Sequence, residues 1–539
     1  MRKQPLLVAV LLFALASWAA SCPERAVEPV DVDCGRQLFV DDCLIESTNG
    51  VVRHWNRPTK LESPIIRPTA DGGTRIGGCT VATDGGLWWD PTVGKFRLWY
   101  EDNWKGDMRY AESSDGLVWE YPDLGHVKGT NRVFADGDRN ARLDTWSVSP
   151  DYAAANPYSR WLMLTSYSFG YERGDDHLFV SADGKSFAHL GISGWSGDRT
   201  TLYYDPFLAK WVFSLRDARR NVGRCRRFHV QDEFKPNPVP YGWEKPKKPL
   251  PPEKLRKMEA PDKWTELELD YAAGCETGGR RCALYSFTAA PYESLMLGVM
   301  EVLHAEPGDN RDCEEKGLPK QTALRFSFSR DGRAYHPSPE EAIRPCGWGS
   351  GKWDTGYLSA VGGVCVIKDE KLWFYYSAVR GDAEKRRGIV GKEKHRNQGM
   401  YYNGAIGAAT LRRDGFCGMV ADGNGEIVTR PLAFTGSHLF VNAECLFGEV
   451  AAEVLDETGA AVSGFSAADC RGLKYVDRTK AELSFAGGTL DALKDRNVRL
   501  RFKLHCATLY SFWVSPSARG ESRGYVAGGG PAYRGLRDL

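Results

Sequence analysis

Two kinds of alternating run recur along the chain. In Gly197–Arg216, stretches rich in aromatic and β-branched residues, Thr200 to Tyr204 and Trp211 to Leu215, flank a Pro-containing turn at Asp205–Lys210. Alternation with a period of two, bounded by turn residues, is the pattern of an antiparallel hairpin. Gly86–Tyr100 repeats it, with Asp90-Pro91 in the turn and Lys95-Phe96 opening the second strand. A second unit often follows, in which a small-residue strand runs into Asp-Gly and then an aromatic: Tyr110–Trp119, Phe179–Phe187, Phe326–Tyr335 and Thr410–Phe416. Asp-Gly supplies the positive φ of a tight turn, so each such unit predicts a second hairpin.

Two hairpins in series make four strands, and the pairs begin near residues 84, 144, 198, 290 and 355. Spacings of about 45 to 60 residues, lengthened once by an insertion, match a four-stranded propeller blade. The predicted fold is therefore all-β, a five-bladed β-propeller over residues 70–422, its fourth blade built on the hairpin that opens at Ser294–Met300. Past Asp422 the Asp-Gly units stop. Shorter alternating strands take over at Leu439–Ala443, Gly448–Leu455, Val498–Leu504 and Thr508–Val514, with a turn at Asp456–Gly459. They predict a C-terminal β-sandwich over 423–539. Residues 22–69 read as an N-terminal extension, with a strand at Cys34–Ile45 and an extended approach at Arg53–Pro68, that supplies a ring-closing strand. The Pro- and Lys-rich stretch Pro236–Pro261 reads as a surface excursion.

Residues 1–21 combine Met1-Arg2-Lys3, the apolar run Leu6–Ala16 and the small residues Ala19-Ala20-Ser21, which is a secretory signal too short to anchor as a membrane span. Ala19-Ala20-Ser21-Cys22 also resembles the bacterial lipoprotein processing box, which would attach a lipid anchor at Cys22, although Ala19 stands where that box usually has Leu. A periplasmic or extracellular bacterial protein is expected. With 539 residues, 42% of them hydrophobic, the chain can bury a large core. Its formal charge is +1, and −1 once Arg2 and Lys3 leave with the signal, so neither nucleic acid nor an anionic membrane is suggested as a partner. Fourteen Cys are too dilute for a disulfide scaffold, though Cys275 and Cys282 are placed to staple one loop. No Cys-x-x-Cys, His-Glu-x-x-His or calcium-loop pattern occurs, so no metal and no cofactor is expected.

The inner strand of each blade starts beside the axial funnel where propellers bind ligands. On the expected register those positions hold Asp84, Asp144, Asp198, Glu293 and Asp354, one acid per blade. A ring of carboxylates suits glycoside hydrolysis, which needs one protonated carboxyl to donate to the leaving oxygen and one ionised to attack or to activate water. Arg199 is placed to hold a carboxylate ionised or to grip an acid group of the substrate. Trp104, beside Asp102 at a strand end, is the favoured funnel-wall aromatic. The other Trp residues, among them Trp88, Trp146, Trp195 and Trp353, read mostly as core. No Ser/His/Asp triad or Gly-x-Ser-x-Gly elbow is present.

The double-hairpin repeat, with runs such as Leu38-Phe39-Val40-Asp41-Asp42 and Gly197-Asp198-Arg199-Thr200-Thr201, resembles the five-bladed β-propeller glycosidases of families 32, 43 and 68, and in particular a bacterial family-32-like group. The resemblance implies a base or nucleophile in the first blade, mapping to Asp84, a supporting Asp in the second, mapping to Asp144, and an acid in a later blade. The acid is either Asp198 or Glu293, with Glu293 favoured because Glu commonly fills that role. Three counterfeits of invertase-type motifs, Trp89-Asp90-Pro91, Arg216-Asp217-Ala218 and Glu444-Cys445, stand in the wrong places, which puts a fructan substrate in doubt. The expected function is an exported glycoside hydrolase acting on a polysaccharide or glycan fragment. The alternatives are a non-catalytic carbohydrate-binding propeller and a sialidase-like enzyme.

Overall fold

In the computed structural model the described residues are 28–67, 80–102, 107–136, 138, 145–166, 175–195, 199–219, 223–236, 265–266, 282–304, 313, 316–385, 399–494 and 496–539. Five antiparallel sheets follow one another along the chain. The first blade runs Thr80–Asp90, Lys95–Asp102, Asp107–Ser113, and its outer edge carries the bridges Arg109–Arg132 and Glu112–Glu120. The second is Thr145–Pro150, Trp161–Ser166, Asp175–Ser181, Ala188–Trp195, and the third Thr201–Asp205, Lys210–Arg219, Gly223–Gln231, Thr265–Glu266. The fourth is Cys282–Glu293, Leu295–His304, Thr322–Ser329, His336–Pro337. The fifth has an interrupted inner strand, Gly356–Ala360 and Val366–Lys368, then Lys371–Val379, Gly404–Arg412 and, as its outer strand, Thr59–Lys60. First packs on second, second on third, third on fourth, fourth on fifth and fifth on first, which closes a five-bladed propeller. The N-terminal approach thus completes the last blade.

The repeated Asp-Gly unit has one physical cause. In Asp115, Asp183 and Asp331 the Oδ1 oxygen accepts the backbone N–H groups two and three residues on, and the Ser two residues earlier binds the same carboxylate. The following glycines take φ of 74°, 68° and 69°, where a Cβ would be strained. These hydrogen bonds outweigh burial and hold all three acids below the usual Asp range.

Two expectations need correction. The fourth blade does not open at Ser294–Met300: Cys282–Glu293 is its inner strand and Leu295–His304 its second, so Glu293 lies at the hairpin tip rather than at a strand start. Both strands are rich in apolar residues and the first carries no Asp-Pro, so the local pattern does not distinguish the hairpin tip from a strand start. The Cys34–Ile45 region does not enter the ring either. Gln37–Leu38 pairs with Ser511 and Phe512, and Ile45–Asn49 and Val52–Trp55 pair with Cys417–Thr429 of the C-terminal sheet.

That C-terminal unit is organised on a long ribbon, Cys417–Thr429 beside Arg499–Ser515, whose register breaks between Ala421 and Asn424. The first half of Arg499–Ser515 pairs with Glu449–Leu455 and the second half with His438–Glu444, so the sheet changes partners at the bend. Val441, Val450, Val454, Leu500, Phe502 and Phe512 are buried in one core beneath it. Among the described residues α-helical conformation occurs only at Cys313 and Lys316, and no helix is long and apolar enough to cross a membrane. Residues 1–21, where a signal was expected, Cys22, Cys275 and nearly all of Pro236–Pro261 lie outside the described residues, as does the side chain of Cys282.

Candidate functional site

The leading ends of the inner strands bring together residues from four blades. Asp84 comes from the first, Arg199 from just before the inner strand of the third, Ser286 from the inner strand of the fourth, and Tyr357 and Ser359 from that of the fifth. Glu301, on the second strand of the fourth blade, lies opposite Ser286, and Arg226, on the third strand of the third, lies opposite Arg216. Asp84, Glu301, Arg199 and Arg226 are all essentially buried.

Their contacts are unequal. Asp84 Oδ2 accepts from Ser286 Oγ at 3.3 Å, while its Oδ1 has no hydrogen-bond partner among the described residues. Glu301 Oε1 accepts the Ala360 N–H at 3.0 Å, and Arg199 Nη1 stands 3.6 Å from Oε2. Arg199 also donates to Ser359 Oγ at 3.1 Å and to Tyr357 OH at 2.6 Å, and Arg226 donates to the Arg199 carbonyl. Lys320 donates to Tyr285 OH at 3.0 Å, and the Tyr285 and Tyr357 hydroxyls meet at 3.3 Å beside Arg199.

Burial pushes the Asp84 pKa well up, the Glu301 charge pushes it further, and Arg199, Arg226 and the Ser286 hydroxyl offset this only in part. Burial also raises Glu301, opposed by Arg199, the Ala360 N–H and the Ser359 hydroxyl. For Arg199 burial works against the charge, but Tyr357, Glu301, Tyr285 and Asp84 outweigh it and keep the guanidinium protonated.

Three of these residues share a costly backbone. Asp84, Arg199 and Tyr357, none of them glycine, have φ of 55°, 64° and 52°. Left-handed backbone costs an L-residue roughly 1–2 kcal/mol because Cβ crowds the next carbonyl. Such strain persists only where the surroundings impose it, and it concentrates at functional sites.

The structure brings Asp84 and Arg199 together as expected, and adds Glu301, which sequence reasoning missed. The available signal was one acid inside an otherwise apolar run, Leu295 to Leu303, where a charge must meet a partner. Asp144, Asp198 and Trp104 lie outside the described residues. Asp102 is buried at the same end but ion-paired with Arg109 at 2.9 Å. Asp354 is paired with Lys60 of the outer strand at 2.7 Å and accepts from Tyr376 at 3.1 Å.

Glu293 is not in this site. At the trailing end of its strand, Oε1 accepts from Arg413 at 2.6 Å, and Oε2 accepts the Arg36 N–H at 3.0 Å and the Ser522 hydroxyl at 2.7 Å. Asp90 and Asp205 occupy hairpin turns at that same end, Asp90 paired with Arg97 at 2.9 Å. Of the Trp residues, Trp88 and Trp146 are core, and Trp353 stacks on Tyr376. Among the described residues no group of three His, Cys, Asp or Glu is placed to hold a metal.

No protein-family model matches the chain, and no curated protein does. Solved structures do resemble it. One belongs to the family 130 mannoside phosphorylases, which contain glycoside hydrolases that target β-1,2 mannosidic linkages in Candida mannan; it is 10% identical over 67% of this chain and 94% of its own, with a TM-score of 0.37. Another is a fructofuranosidase from Schwanniomyces occidentalis complexed with fructosylnystose, 9% identical over 86% and 98%, TM-score 0.37. A third is an endo-arabinase from Bacteroides thetaiotaomicron, 13% identical over 60% and 95%, TM-score 0.34. These are five-bladed propeller glycoside hydrolases. At such identities and scores the likeness bears on neither substrate nor catalytic residues.

Proposed function

We propose that the chain is a glycoside hydrolase whose working carboxyls are Asp84 and Glu301, acting on a polysaccharide or glycan fragment. The reading rests on one observation: two buried carboxyls from different blades share two arginines, and each keeps an oxygen without a hydrogen bond among the described residues, Glu301 Oε2 having Arg199 at 3.6 Å and Asp84 Oδ1 neither a hydrogen bond nor an ion pair there. A buried acceptor without a donor is rare and needs a reason. The turn acid Asp205 keeps one as well, but Asp84 does so beside a second buried carboxyl and two arginines, where a proton held for a leaving oxygen supplies the reason. The environments separate the roles. Glu301, held by a backbone N–H, Ser359 and Arg199, is the ionised partner that attacks or activates water, and Asp84, with a single long contact, carries the proton to the leaving oxygen. That assignment reverses the role the family resemblance gives Asp84. The signal-like N-terminus supports export to the periplasm or cell surface, checked by N-terminal sequencing and lipid analysis of the mature protein.

The test is a hydrolysis screen over aryl glycosides and soluble polysaccharides. Cleavage of one class is expected, with Asp84→Asn and Glu301→Gln each folded and slower by about 10² to 10⁴. A second reading, a carbohydrate-binding propeller without catalysis, is favoured by the near-complete burial of both carboxyls. Glycan binding with no cleavage across the screen, unaltered in both variants, would decide for it.

A further inference from the structure

The segment Gly524–Leu539 crosses the propeller axis at the end opposite the carboxyls. Tyr525 and Val526 pair with Glu293 and Tyr292 on the free axial edge of the fourth blade's inner strand. The Ala527 N–H then bonds the Pro291 carbonyl at 3.0 Å, and the Gly528 N–H bonds that of Cys365 in the fifth blade at 2.8 Å. The Gly528 carbonyl accepts from Trp89 of the first blade at 2.7 Å, and that of Gly529 from Ile367 at 2.8 Å. Tyr525 meets Phe207 of the third blade, with ring centroids 5.4 Å apart. Val526 to Gly530 are buried. The glycines are dictated by this threading: a Cβ on Gly530 would lie 1.9 Å from the Ile367 carbonyl oxygen, and one on Gly528 would lie 2.8 Å from those of Cys365 and Leu87.

The three inner strands gripped here are the ones whose other ends carry the site. Trp89 shares a strand with Asp84, Pro291 with Ser286, and Ile367 continues the inner edge that bears Tyr357 and Ser359. Asp84 and Trp89 are five residues apart, at most roughly 17 Å of chain; Gly86 to Trp89 are paired with the second strand, and Asp84 sits in the irregularity between Val81 and Gly86. Neighbouring blades also bond directly, the Leu87 N–H to the Gly362 carbonyl at 2.9 Å and the Tyr357 N–H to that of Lys320 at 2.6 Å. The clamp adds backbone bonds that tie the first, fourth and fifth inner strands to one segment.

We propose that Gly524–Leu539 is an axial clamp that positions the funnel carboxyls, by fixing the first, fourth and fifth inner strands to one another and closing the channel behind the site. The proposal rests on the funnel cluster but not on the glycosidase reading, and its readouts need no substrate. Two forms of the full chain test it: Gly530→Val, and a chain with a protease site at the exposed Ala518 and Arg519 of the Ser517–Gly520 turn, cut after folding. Hydrogen exchange reports on Thr80–Asp90, Cys282–Glu293, Gly356–Ala360 and the clamp itself. Infrared titration reports on the two carboxyls, assigned with Asp84→Asn and Glu301→Gln. The expected result is loss of protection in the three strands together with a downward shift of the Asp84 titration, as water reaches it from behind, while the sheet of Arg499–Ser515 stays protected. A failure of Gly530→Val to fold leaves the cut chain to carry the test. The proposal is overturned by a carboxyl titration unchanged in the folded forms, whether the clamp has been released, which would make it a brace alone, or has stayed in place.

Discussion

The propeller buries two clusters of acids and arginines, one at each end of its axis, and they are built to opposite rules. At the trailing end Glu293 and Asp414 face Arg36 and Arg413, two charges of each sign, and every carboxylate oxygen is occupied. Asp414 Oδ1 accepts from Tyr292 at 2.5 Å, and its Oδ2 accepts from Arg36 at 3.0 Å, Asn442 at 3.1 Å and Ser511 at 2.7 Å. Arg36 also lies over the Trp513 ring, 4.2 Å from its centroid. The partners come from the N-terminal extension, the fourth and fifth blades, the C-terminal sheet and the clamp, so this cluster is a joint. At the leading end Asp84 and Glu301 face Arg199 and Arg226 with the same charges but fewer donors, and Asp84 Oδ1 and Glu301 Oε2 have no hydrogen bond among the described residues. The two ends carry equal charge and differ in how fully their carboxylates are held.

The largest effect expected from breaking this comparison is on rate. Asp84→Asn and Glu301→Gln remove activity by about 10² to 10⁴. Asp84→Asn leaves the unfolding midpoint unchanged or raised, because it replaces a carboxyl that is already neutral, whereas Glu301→Gln also lowers it, because Arg199 loses a counter-charge. Glu293→Gln does the reverse of Asp84→Asn. It leaves Arg413 and Arg36 buried without their counter-charge and costs about 3–5 kcal/mol of stability, with turnover per folded molecule preserved. Denaturant unfolding alongside single-turnover rates checks both; a stability loss in the first pair with no rate loss would equate the two ends.

The number of blades was legible because it is written in local chemistry. Asp115, Asp183 and Asp331 each close a turn with their own neighbours, so period and fold class could be read from residues two and three apart. Asp84 and Arg199 were legible for a related reason, standing at the starts of strands whose hairpins announced themselves. Glu293 was misread because nothing local distinguishes a hairpin tip from a strand start when both flanking strands are apolar. Its actual partners, Arg36 and Arg413, are 257 and 120 residues away. Glu301 escaped because its meaning lies in the Arg199 and Ala360 that the closed ring brings to it. What depends on ring closure could not be read before the ring was closed.

The third expected effect is a pH dependence specific to the joint. Burial alone would raise Asp414, but Arg36, Arg413 and the hydroxyls of Tyr292 and Ser511 outweigh it and hold the carboxyl at about 2, against an ordinary 3.8. A depressed acid stabilises the fold above its unfolded pKa, and that contribution is lost as pH falls through the folded one. Acidification from about 4 towards 2 should therefore remove about 2 kcal/mol. Asp84 runs the other way. Its raised pKa gives a contribution present at low pH and lost as pH rises through the folded value, so Asp84→Asn should flatten the limb above the ordinary Asp range while Asp414→Asn flattens the one below it. Urea midpoints across pH would check this, and interchanged limbs would refute the assignment of the two ends.

The smallest effect belongs to the acids that neither end uses. Asp331 serves its turn through Oδ1, which accepts from the Arg333 and Ala334 N–H groups at 2.8 Å each, and Ser329 adds a hydroxyl at 3.0 Å. An Asn at this position keeps a carbonyl oxygen in the same place, so Asp331→Asn should change stability by only a few tenths of a kcal/mol, whereas Asp331→Ala, which strands two backbone donors, should cost about 1 kcal/mol. Neither should alter turnover, since the turn sits on an outer strand of the fourth blade. Asp115 and Asp183 make the same set of bonds and should give the same ranking. An activity loss in Asp331→Asn comparable to that in Asp84→Asn, with unfolding unchanged, would mean that these Asp-Gly acids reach the substrate and that donor saturation is no guide to which carboxyls work.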